Sequence, residues 1–191
     1  MKKTYLAFCA AALSVTLLTS CESDPNPAKE DAVEVAEDRN DAKFNDTQME
    51  DPAEWVTKAA EGGLLEVEFG KLAQQNATNP KVRELGKMMA EEHGKANEEL
   101  KAIAMKKNIT LPTAMSDDHQ NKYKDMAAKK GADFDKAYTD MMVEDHKDDI
   151  EMYQKQAQDG KDMDFKNFAA GKVPTLQHHL QMSEEAYNLV K

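Results

Sequence analysis

Apolar side chains recur every three or four residues along four long stretches of the chain, the spacing that places them on one face of an α-helix. The first stretch begins at Asp51, which is predicted to cap a helix with Pro52 and Glu54 in its first turn. Its apolar positions are Val56, Ala59, Ala60, Leu65, Phe69, Leu72 and Ala73. The sequence therefore predicts a helix that ends before a turn at residues 76–80.

Three further stretches carry the same spacing after that turn. They are predicted as helices over residues 80–108, 133–159 and 162–191. A short polar helix is predicted over residues 116–130, where Ser116 is a capping residue and Gly131 a helix breaker. Gly171 and Pro174 predict a kink in the last helix.

This order of elements indicates a fold class. Four amphipathic helices in two hairpins, joined by a longer crossover, predict an all-α protein. Its domain is a ferritin-like antiparallel four-helix bundle over residues 52–191, with a short extra helix between helices two and three. The composition agrees, because 12 Met with only 8 Gly, 6 Pro and 6% aromatic residues is typical of helical proteins.

The amino end has the layout of a bacterial export signal. Lys2 and Lys3 precede an apolar run at residues 5–18, which is shorter than a membrane-spanning helix requires. The small residues after this run, followed by Cys21, resemble a lipobox, where a lipoprotein signal peptidase cuts before a lipidated cysteine. We therefore expect residues 1–20 to be a lipoprotein signal peptide and Cys21 to attach the protein to a membrane through lipid. The alternative is an ordinary signal followed by a free cysteine.

Glu22, rather than Asp, follows the cysteine, and this favours the outer membrane of the cell envelope, with the periplasmic or surface face left open. Residues 22–51 hold 11 Asp and Glu against three Lys and Arg, and their apolar residues are sparse. Residues 21–51 are therefore predicted to be a lipidated cysteine and an acidic flexible tether.

Charge and cysteine content narrow the function classes. The 25 Lys and Arg against 36 Asp and Glu give a net charge of −11, the wrong sign for binding phosphate backbones. Nucleic acid is therefore not an expected partner. Because Cys9 lies in the signal, Cys21 is the one cysteine expected in the mature protein, so no disulfide or cysteine metal site is expected in the bundle.

Four polar residues occupy inward-facing positions within the apolar stripes, one on each long helix: Glu66, His93, His146 and His179. Counted from the turns at 1.5 Å per residue, the first three lie about 20 Å deep and His179 about one turn deeper, unless the kink compensates. An unpaired charge in a core is costly, so these side chains are expected to contact one another. Two interpretations stay open: a hydrogen-bonded layer that fixes helix register, or a metal site of three imidazoles and a carboxylate.

Two methionines bear on this choice. Residues 88–93 and 141–146 are nearly the same six residues on two helices, and each places a thioether, Met89 or Met142, one turn before its histidine. Sulfur beside imidazole suits copper(I), whereas the alternative is that both methionines fill the core. His119 is predicted to be exposed, and the acidic pair at residues 148–149 is predicted to be a solvated face.

Several segments together resemble a family of exported bacterial proteins known as domain of unknown function 4142. They are residues 63–73, 89–100, 131–146 and 173–180. The resemblance extends over residues 52–190 and implies a ferritin-like fold. The recurring polar residues of the family fall on Glu66, Glu68, His93, His146 and His179.

The resemblance implies no reaction. Glu-x-x-His ligand pairs of di-iron proteins are absent, because Ala90, Val143 and Leu176 stand three residues before the histidines. Motifs of nucleophilic, phosphate-binding or zinc-hydrolase sites are also absent, so we expect no enzyme. The expected function is a lipid-anchored envelope protein of unestablished role that binds a copper, zinc or iron ion in the His/Glu layer. The alternative is a non-catalytic structural or stress-related interaction protein in which this layer is purely structural.

Overall fold

The computed structural model describes residues 30–191, which form six helices and no strand. The predicted signal peptide and Cys21 lie outside the described residues. Within the described part of the chain, none of the helices combines the length and apolar character needed to cross a membrane. The helices are α1 (Ala32–Phe44), α2 (Glu50–Asn76), α3 (Pro80–Lys106), α4 (Asp117–Ala128), α5 (Gly131–Asp159) and α6 (Met163–Val190).

The predicted all-α bundle is confirmed. Helices α2 and α3 pack as one hairpin and α5 and α6 as another, and α3 against α6 and α2 against α5 join the two hairpins. The chain between α3 and α5, which carries α4, returns along the length of the bundle, so that α5 starts at the same end as α3. Neighbouring long helices are therefore all antiparallel, which is the connectivity of a bundle with one long crossover.

Capping side chains explain most of the helix starts. Asn79, Ser116 and Asp162 accept hydrogen bonds from backbone amides two or three residues later at the starts of α3, α4 and α6. The predicted cap at Asp51 is wrong, because α2 begins at Glu50 and Asp51 lies within its first turn. The third long helix begins at Gly131, where φ is +60°, rather than after Asp133, and α6 continues unbroken through Pro174.

The prediction of a flexible tether is wrong for the part of residues 21–51 that the structure describes. Residues 32–44 form α1, which starts at Asp31 and packs on α2 through Val33 and Ala36. Asp31 caps it by accepting from the amide of Val33 at 2.8 Å, and also accepts from the amide of Asp117 at 2.6 Å. Four of the acidic residues that suggested a tether, Glu34, Glu37, Asp38 and Asp41, lie on the exposed face of this helix.

Asn40 fixes α1 to the rest of the domain. This buried side chain donates to Thr110 O at 2.8 Å, accepts from Thr110 N at 2.8 Å and donates to Thr57 Oγ1 at 3.2 Å. The side-chain amide of Asn40 therefore pairs with both the backbone N–H and the backbone C=O of Thr110, which lies in the loop after α3. Lys43 adds a bond to Asn108 O at 3.1 Å. Sequence periodicity carried no sign of this contact, because its partner lies 70 residues away.

A second buried polar anchor holds the turn between α2 and α3. Asp135 in the first turn of α5 accepts from Thr78 N at 3.0 Å, Thr78 Oγ1 at 2.6 Å and Asn79 N at 2.8 Å. This carboxylate is 2% exposed and ties the tip of one hairpin to the start of the other. It satisfies amide groups at the start of α3 that lack intrahelical partners.

The core consists of two apolar clusters, one at each end of the bundle. The first cluster lies near the turn between α2 and α3 and includes Leu65, Phe69, Leu85, Met89, Phe134, Tyr138, Met142 and Ala186. The second cluster lies near the turn between α5 and α6 and includes Val56, Ala60, Leu100, Tyr153, Phe165, Phe168 and Leu176. On α3, α5 and α6 the histidine of the predicted polar layer lies between residues of the two clusters, whereas on α2 Glu66 directly follows Leu65 of the first cluster.

Helices α2 and α3 come unusually close at a pair of glycines. A Cβ on Gly70 would lie 2.6 Å from Gly86 O and 2.8 Å from Ala90 N, and a Cβ on Gly86 would lie 2.8 Å from Gly70 O. Both contacts involve backbone atoms, which cannot rotate away. The absence of side chains here sets the spacing of the first hairpin just above the polar layer.

Substitution of Asn40 tests the docking of α1. Asn40→Ala leaves the amide and carbonyl of Thr110 without their partners, which costs about 1–3 kcal/mol. We expect hydrogen exchange in residues 32–44 to accelerate by about tenfold or more, while exchange in α5 changes little. Glu37→Ala, an exposed change on the same helix, serves as the control. Equal exchange rates in the two variants would contradict the docking.

Substitution of Gly70 tests the close helix contact. Gly70→Ala is expected to destabilise the protein by about 1–3 kcal/mol in urea unfolding, because the added carbon meets backbone. Gly171→Ala is the matched control, since a Cβ there has no neighbour within 4 Å. That change is expected to stabilise α6 by about 0.5–1 kcal/mol. A stable Gly70→Ala protein would show that the helices can separate freely.

Candidate metal centre

The four residues predicted to share a layer lie together between the two apolar clusters. Glu66 on α2, His93 on α3, His146 on α5 and His179 on α6 are 1%, 6%, 0% and 1% exposed. His179 lies at the level of the others rather than a turn deeper. These four side chains are called the polar layer below.

One ring nitrogen of each histidine converges on a common point. His93 Nε2 lies 3.0 Å from His179 Nδ1, and His146 Nε2 lies 3.3 Å from the same atom. The three converging nitrogens all lie within 4.8 Å of one another. Three long helices thus each supply one nitrogen to the same small volume.

The outward-facing nitrogen of each histidine has a hydrogen-bond partner of its own. His146 Nδ1 lies 2.9 Å from Met142 O, and since a carbonyl only accepts, this nitrogen carries the proton. His179 Nε2 lies 2.9 Å from Glu92 Oε2, and His93 Nδ1 lies 2.6 Å from Glu66 Oε2. These contacts orient the rings and leave lone pairs on the converging side.

The second oxygen of Glu66 is the least satisfied polar atom of the layer. Glu66 Oε1 lies 3.4 Å from His146 Nε2, and it has no hydrogen bond within the described residues. The buried hydroxyl of Tyr138, in the first cluster, also lacks a hydrogen-bond partner there. A buried carboxylate oxygen without a donor is costly, which suggests either a proton on Glu66 or a bound cation nearby.

Burial dominates the electrostatics of the layer. Desolvation lowers the pKa of His93 to about 4, of His146 to about 3 and of His179 to about 4, so all three imidazoles are neutral at pH 7. Desolvation, with the nearby charge of Asp145, raises the pKa of Glu66 well above its usual value. Neutral imidazole is the form that binds metal ions.

The metal-free layer has a consistent proton arrangement. A protonated Glu66 donates to His93 Nδ1, and His93 Nε2 then donates to His179 Nδ1. His179 Nε2 in turn donates to Glu92, whose side chain is 41% exposed. When Glu66 is ionised, His93 Nδ1 donates a hydrogen bond to it and His93 Nε2 carries a lone pair. All three converging nitrogens then present lone pairs.

Two further carboxylates approach the layer from α5. Asp145 and Asp149 are only partly exposed, and desolvation raises the pKa of Asp145 and raises that of Asp149 well above its usual value. The prediction of a solvated face is therefore wrong for Asp149. Asp149 lies close to Gly62 of α2, since a Cβ on that glycine would lie 3.9 Å from Asp149 Oδ1.

A cavity between α3 and α6 connects the layer to the surface. It has a volume of about 230 Å³ and reaches His93 and His179. Its lining also includes Glu92, Lys95, Ala96, Glu99, Tyr153, Lys172, Thr175 and Leu176. The two histidines are therefore within reach of small solutes, although they are almost fully buried.

The remaining predicted site residues lie apart from the converging nitrogens. Glu68 is on the surface, where it pairs with Lys71 at 2.6 Å. Met89 and Met142 are fully buried in the first cluster, and the contact that Met142 makes with His146 is through its backbone carbonyl. These positions favour the core-filling interpretation of both methionines.

The sequence analysis missed two polar contacts near the layer. Glu92, which orients His179, is adjacent to His93 in the sequence, and only the packing of α6 reveals its partner. His119 is not exposed as predicted: its side chain is 22% exposed and its Nδ1 lies 2.8 Å from Glu61 Oε1 on α2. The hydrogen bond from His119 lowers the pKa of Glu61 and helps hold α4 on the bundle.

The pH dependence of stability tests the burial of the histidines. Their pKa values are lower in the folded than in the unfolded chain, where they are near 6.5, so the unfolded chain binds more protons between pH 6.5 and about 4. The free energy of unfolding should therefore fall as pH falls through this window, by about 1.4 kcal/mol per pH unit for each histidine. Glu66 acts in the opposite direction above pH 4.5, because its raised pKa retains a proton in the folded state.

Urea unfolding of the chelator-treated protein at several pH values between 7 and 4 measures this slope. His146→Gln should reduce the slope by the contribution of one histidine. His178→Gln, an exposed change on the same helix as His179, should leave the slope unchanged. Identical slopes in both variants would show that His146 is free to take up a proton in the folded protein.

Comparisons with known proteins give a family and no characterised relative. No curated protein matches the chain, and no solved structure matches it. The family model described as Domain of unknown function (DUF4142) matches residues 33–186. The match begins within α1 and contains all four residues of the polar layer, so α1 belongs to the domain. The chain is a member of the DUF4142 family.

Proposed function

We propose that the protein binds one transition-metal ion through His93, His146 and His179. The observation that carries this proposal is the convergence of three buried, neutral imidazole nitrogens whose opposite ring nitrogens are each held by a hydrogen bond. A layer built only to fix helix register needs hydrogen bonds between its members. It does not need all three rings to direct a nitrogen to one small volume, where ionisation of Glu66 would leave three lone pairs.

The spacing of the nitrogens supports this role. A zinc ion holds imidazole nitrogens at 2.0–2.1 Å in a tetrahedron, which separates any two of them by about 3.3 Å. The two separations from His179 Nδ1 are 3.0 and 3.3 Å. An ion would therefore enter with small adjustments of side chains and no rearrangement of helices.

Glu66 contributes through charge and orientation. Its Oε2 contacts the outer nitrogen of His93 rather than the convergence point, and its Oε1 lies 3.4 Å from His146 Nε2. As a carboxylate it would offset one charge of a divalent ion in a buried site, where such compensation is worth most. This is the arrangement of carboxylate, histidine and metal found in many metal sites.

The donor set narrows the choice of ion. Imidazole nitrogens suit zinc, iron and copper in their divalent forms, and a carboxylate nearby suits zinc(II) and iron(II). Sulfur at the convergence point would favour copper(I), whereas Met89 and Met142 lie in the first cluster. Zinc(II) and iron(II) are therefore the ions to test first, with copper as the comparison.

The proposed setting is the cell envelope, with Cys21 as a lipid anchor. The signal-like layout of residues 1–20 supports this, and so does the acidic surface, which suits neither nucleic acid nor anionic lipid as a binding partner. Ten residues separate Cys21 from α1, and they span at most about 36 Å when extended. The bundle would therefore work close to the membrane, binding a metal rather than catalysing a reaction.

A purely structural role for the layer is the competing function. One observation favours it: the chain from Glu66 through His93 and His179 to Glu92 satisfies most polar atoms without an ion. The two functions differ in what removal of one histidine does. In a structural layer the loss affects stability, whereas in a metal site it affects binding of the ion as well.

Metal titration of the chelator-treated protein tests the proposal. We expect one zinc(II) or iron(II) per chain by elemental analysis, and an affinity lower by on the order of 100-fold or more in His146→Gln, because one of three ligands is lost. His178→Gln is the matched control and should bind as the unmodified protein does. Circular dichroism confirms that both variants are folded. No retained metal in any of these proteins, or equal retention in both variants, would establish the structural role instead.

A further inference from the structure

Three protein nitrogens leave a metal ion with a free coordination position. Zinc sites closed by four protein ligands are structural, whereas sites with three protein ligands hold an exogenous ligand in the fourth position. Glu66 is not among the converging groups, since the set within 4.8 Å consists of the three histidines. Its Oε2 contacts His93 Nδ1, and its Oε1, 3.4 Å from His146 Nε2, lies outside this set, so the position on the cavity side of the ion is open to a solute.

The cavity between α3 and α6 is the route to that position. Two of the three histidines, His93 and His179, lie on its wall, and about 230 Å³ is enough for a molecule of a few heavy atoms beside the ion. The other side of the layer is closed by the packing of α2 against α5 and by Asp145 and Asp149, which are partly buried there. A solute therefore meets the ion from the α3 and α6 side.

The net charge of the metal site determines which kind of solute would bind in the cavity. A divalent ion with three neutral imidazoles and one carboxylate, Glu66, carries one net positive charge in a water-poor core, and a monoanion neutralises it. The charged side chains on the cavity wall cancel, since it carries two lysines, Lys95 and Lys172, and two glutamates, Glu92 and Glu99. Glu92 is held by His179 Nε2, and Glu99 is paired with Lys172 at 2.5 Å, while Lys95 adds a further positive charge. Glu92 and Glu99 each have a partner, and the two lysines offset their charges, so the wall has no net negative charge that would exclude an anion.

Lys172 lies at the opening of the cavity between α3 and α6. Its ammonium group lies 5.3 Å from the centre of the Phe168 ring, and its side chain is only 23% exposed. Contacts with Glu99 and Phe168 hold a positive charge at the rim on α6 and bridge to α3. The cavity wall as a whole carries no net charge, because Lys95 and Lys172 are balanced by Glu92 and Glu99, so the attraction for an anion comes from the ion.

We propose that the cavity between α3 and α6 is a binding site for a small monoanion that coordinates the metal ion held by His93, His146 and His179. This inference rests on the proposed function, because the anion needs the ion. It names the class of ligand as a small oxygen- or nitrogen-donor anion, such as a carboxylate, bicarbonate or azide.

Cobalt(II) substitution tests metal binding and anion binding separately. The visible absorption of cobalt(II) reports coordination by the histidines, and azide is then added as the probe anion. We expect a saturable change in the spectrum with azide, because coordination of an anion alters the ligand field. The same titration with sodium perchlorate, whose anion coordinates metal ions only weakly, at equal ionic strength controls for screening.

Two tryptophan variants of α6 locate the anion. Thr175→Trp fills the cavity, whereas Gln177→Trp adds the same side chain at an exposed position of the same helix outside it. Both should bind one cobalt(II) per chain. The azide response should persist in Gln177→Trp and weaken at least tenfold in Thr175→Trp.

Each outcome decides one of the two proposals. A protein that binds cobalt(II) but shows no azide response overturns the anion site and leaves metal binding intact. An equal azide response in both tryptophan variants overturns the cavity as the site. Absence of cobalt(II) binding overturns the proposed function, and the anion site with it.

Discussion

Desolvation of the polar layer is the constraint on which the rest of the structure depends. Four titratable side chains lie between two apolar clusters, almost without contact with water, and none of them can carry a charge there without compensation. Burial keeps the histidines neutral and raises the pKa of Glu66, which favours its protonated form. In that form the layer is polar but uncharged, which lets it lie between the two apolar clusters.

The geometry of the layer follows from how neutral imidazole satisfies its two nitrogens. In a neutral imidazole one nitrogen donates and the other accepts. An outer partner that accepts a hydrogen bond therefore leaves a lone pair on the nitrogen that faces the centre of the layer. Met142 O does this for His146, and Glu92 does it for His179. The first partner is on the same helix and the second on a neighbouring one. The direction of the lone pairs is thus determined by helix packing as well as by the side chains themselves.

The sequence was sufficient for the parts of the fold that depend on local spacing. The four layer residues, the cap at Ser116 and the long crossover follow from helical period and turn chemistry. The docking of α1 did not follow, because Asn40 pairs with a loop residue 70 positions away and its helix has a polar outer face. The contacts of Asp135 and Asp149 were missed for the same reason. In a sequence, a carboxylate on an exposed helix face cannot be distinguished from one that contacts a distant residue.

The position of the layer also explains how an apolar bundle would tolerate an ion. The hydrogen-bonded chain from Glu66 to Glu92 keeps the metal-free layer satisfied, so the bundle need not be unfolded before an ion arrives. Binding of an ion to the folded state alone then adds stability in proportion to the logarithm of its concentration over its dissociation constant. When an ion binds, Glu66 would pass its proton to His93 Nδ1 and the proton on His93 Nε2 would leave, so that all three converging nitrogens present lone pairs. His93 lies on the wall of the cavity between α3 and α6, so this proton has a short path to solvent. Metal entry and proton exit thereby share the α3 and α6 side of the bundle, where the cavity lies.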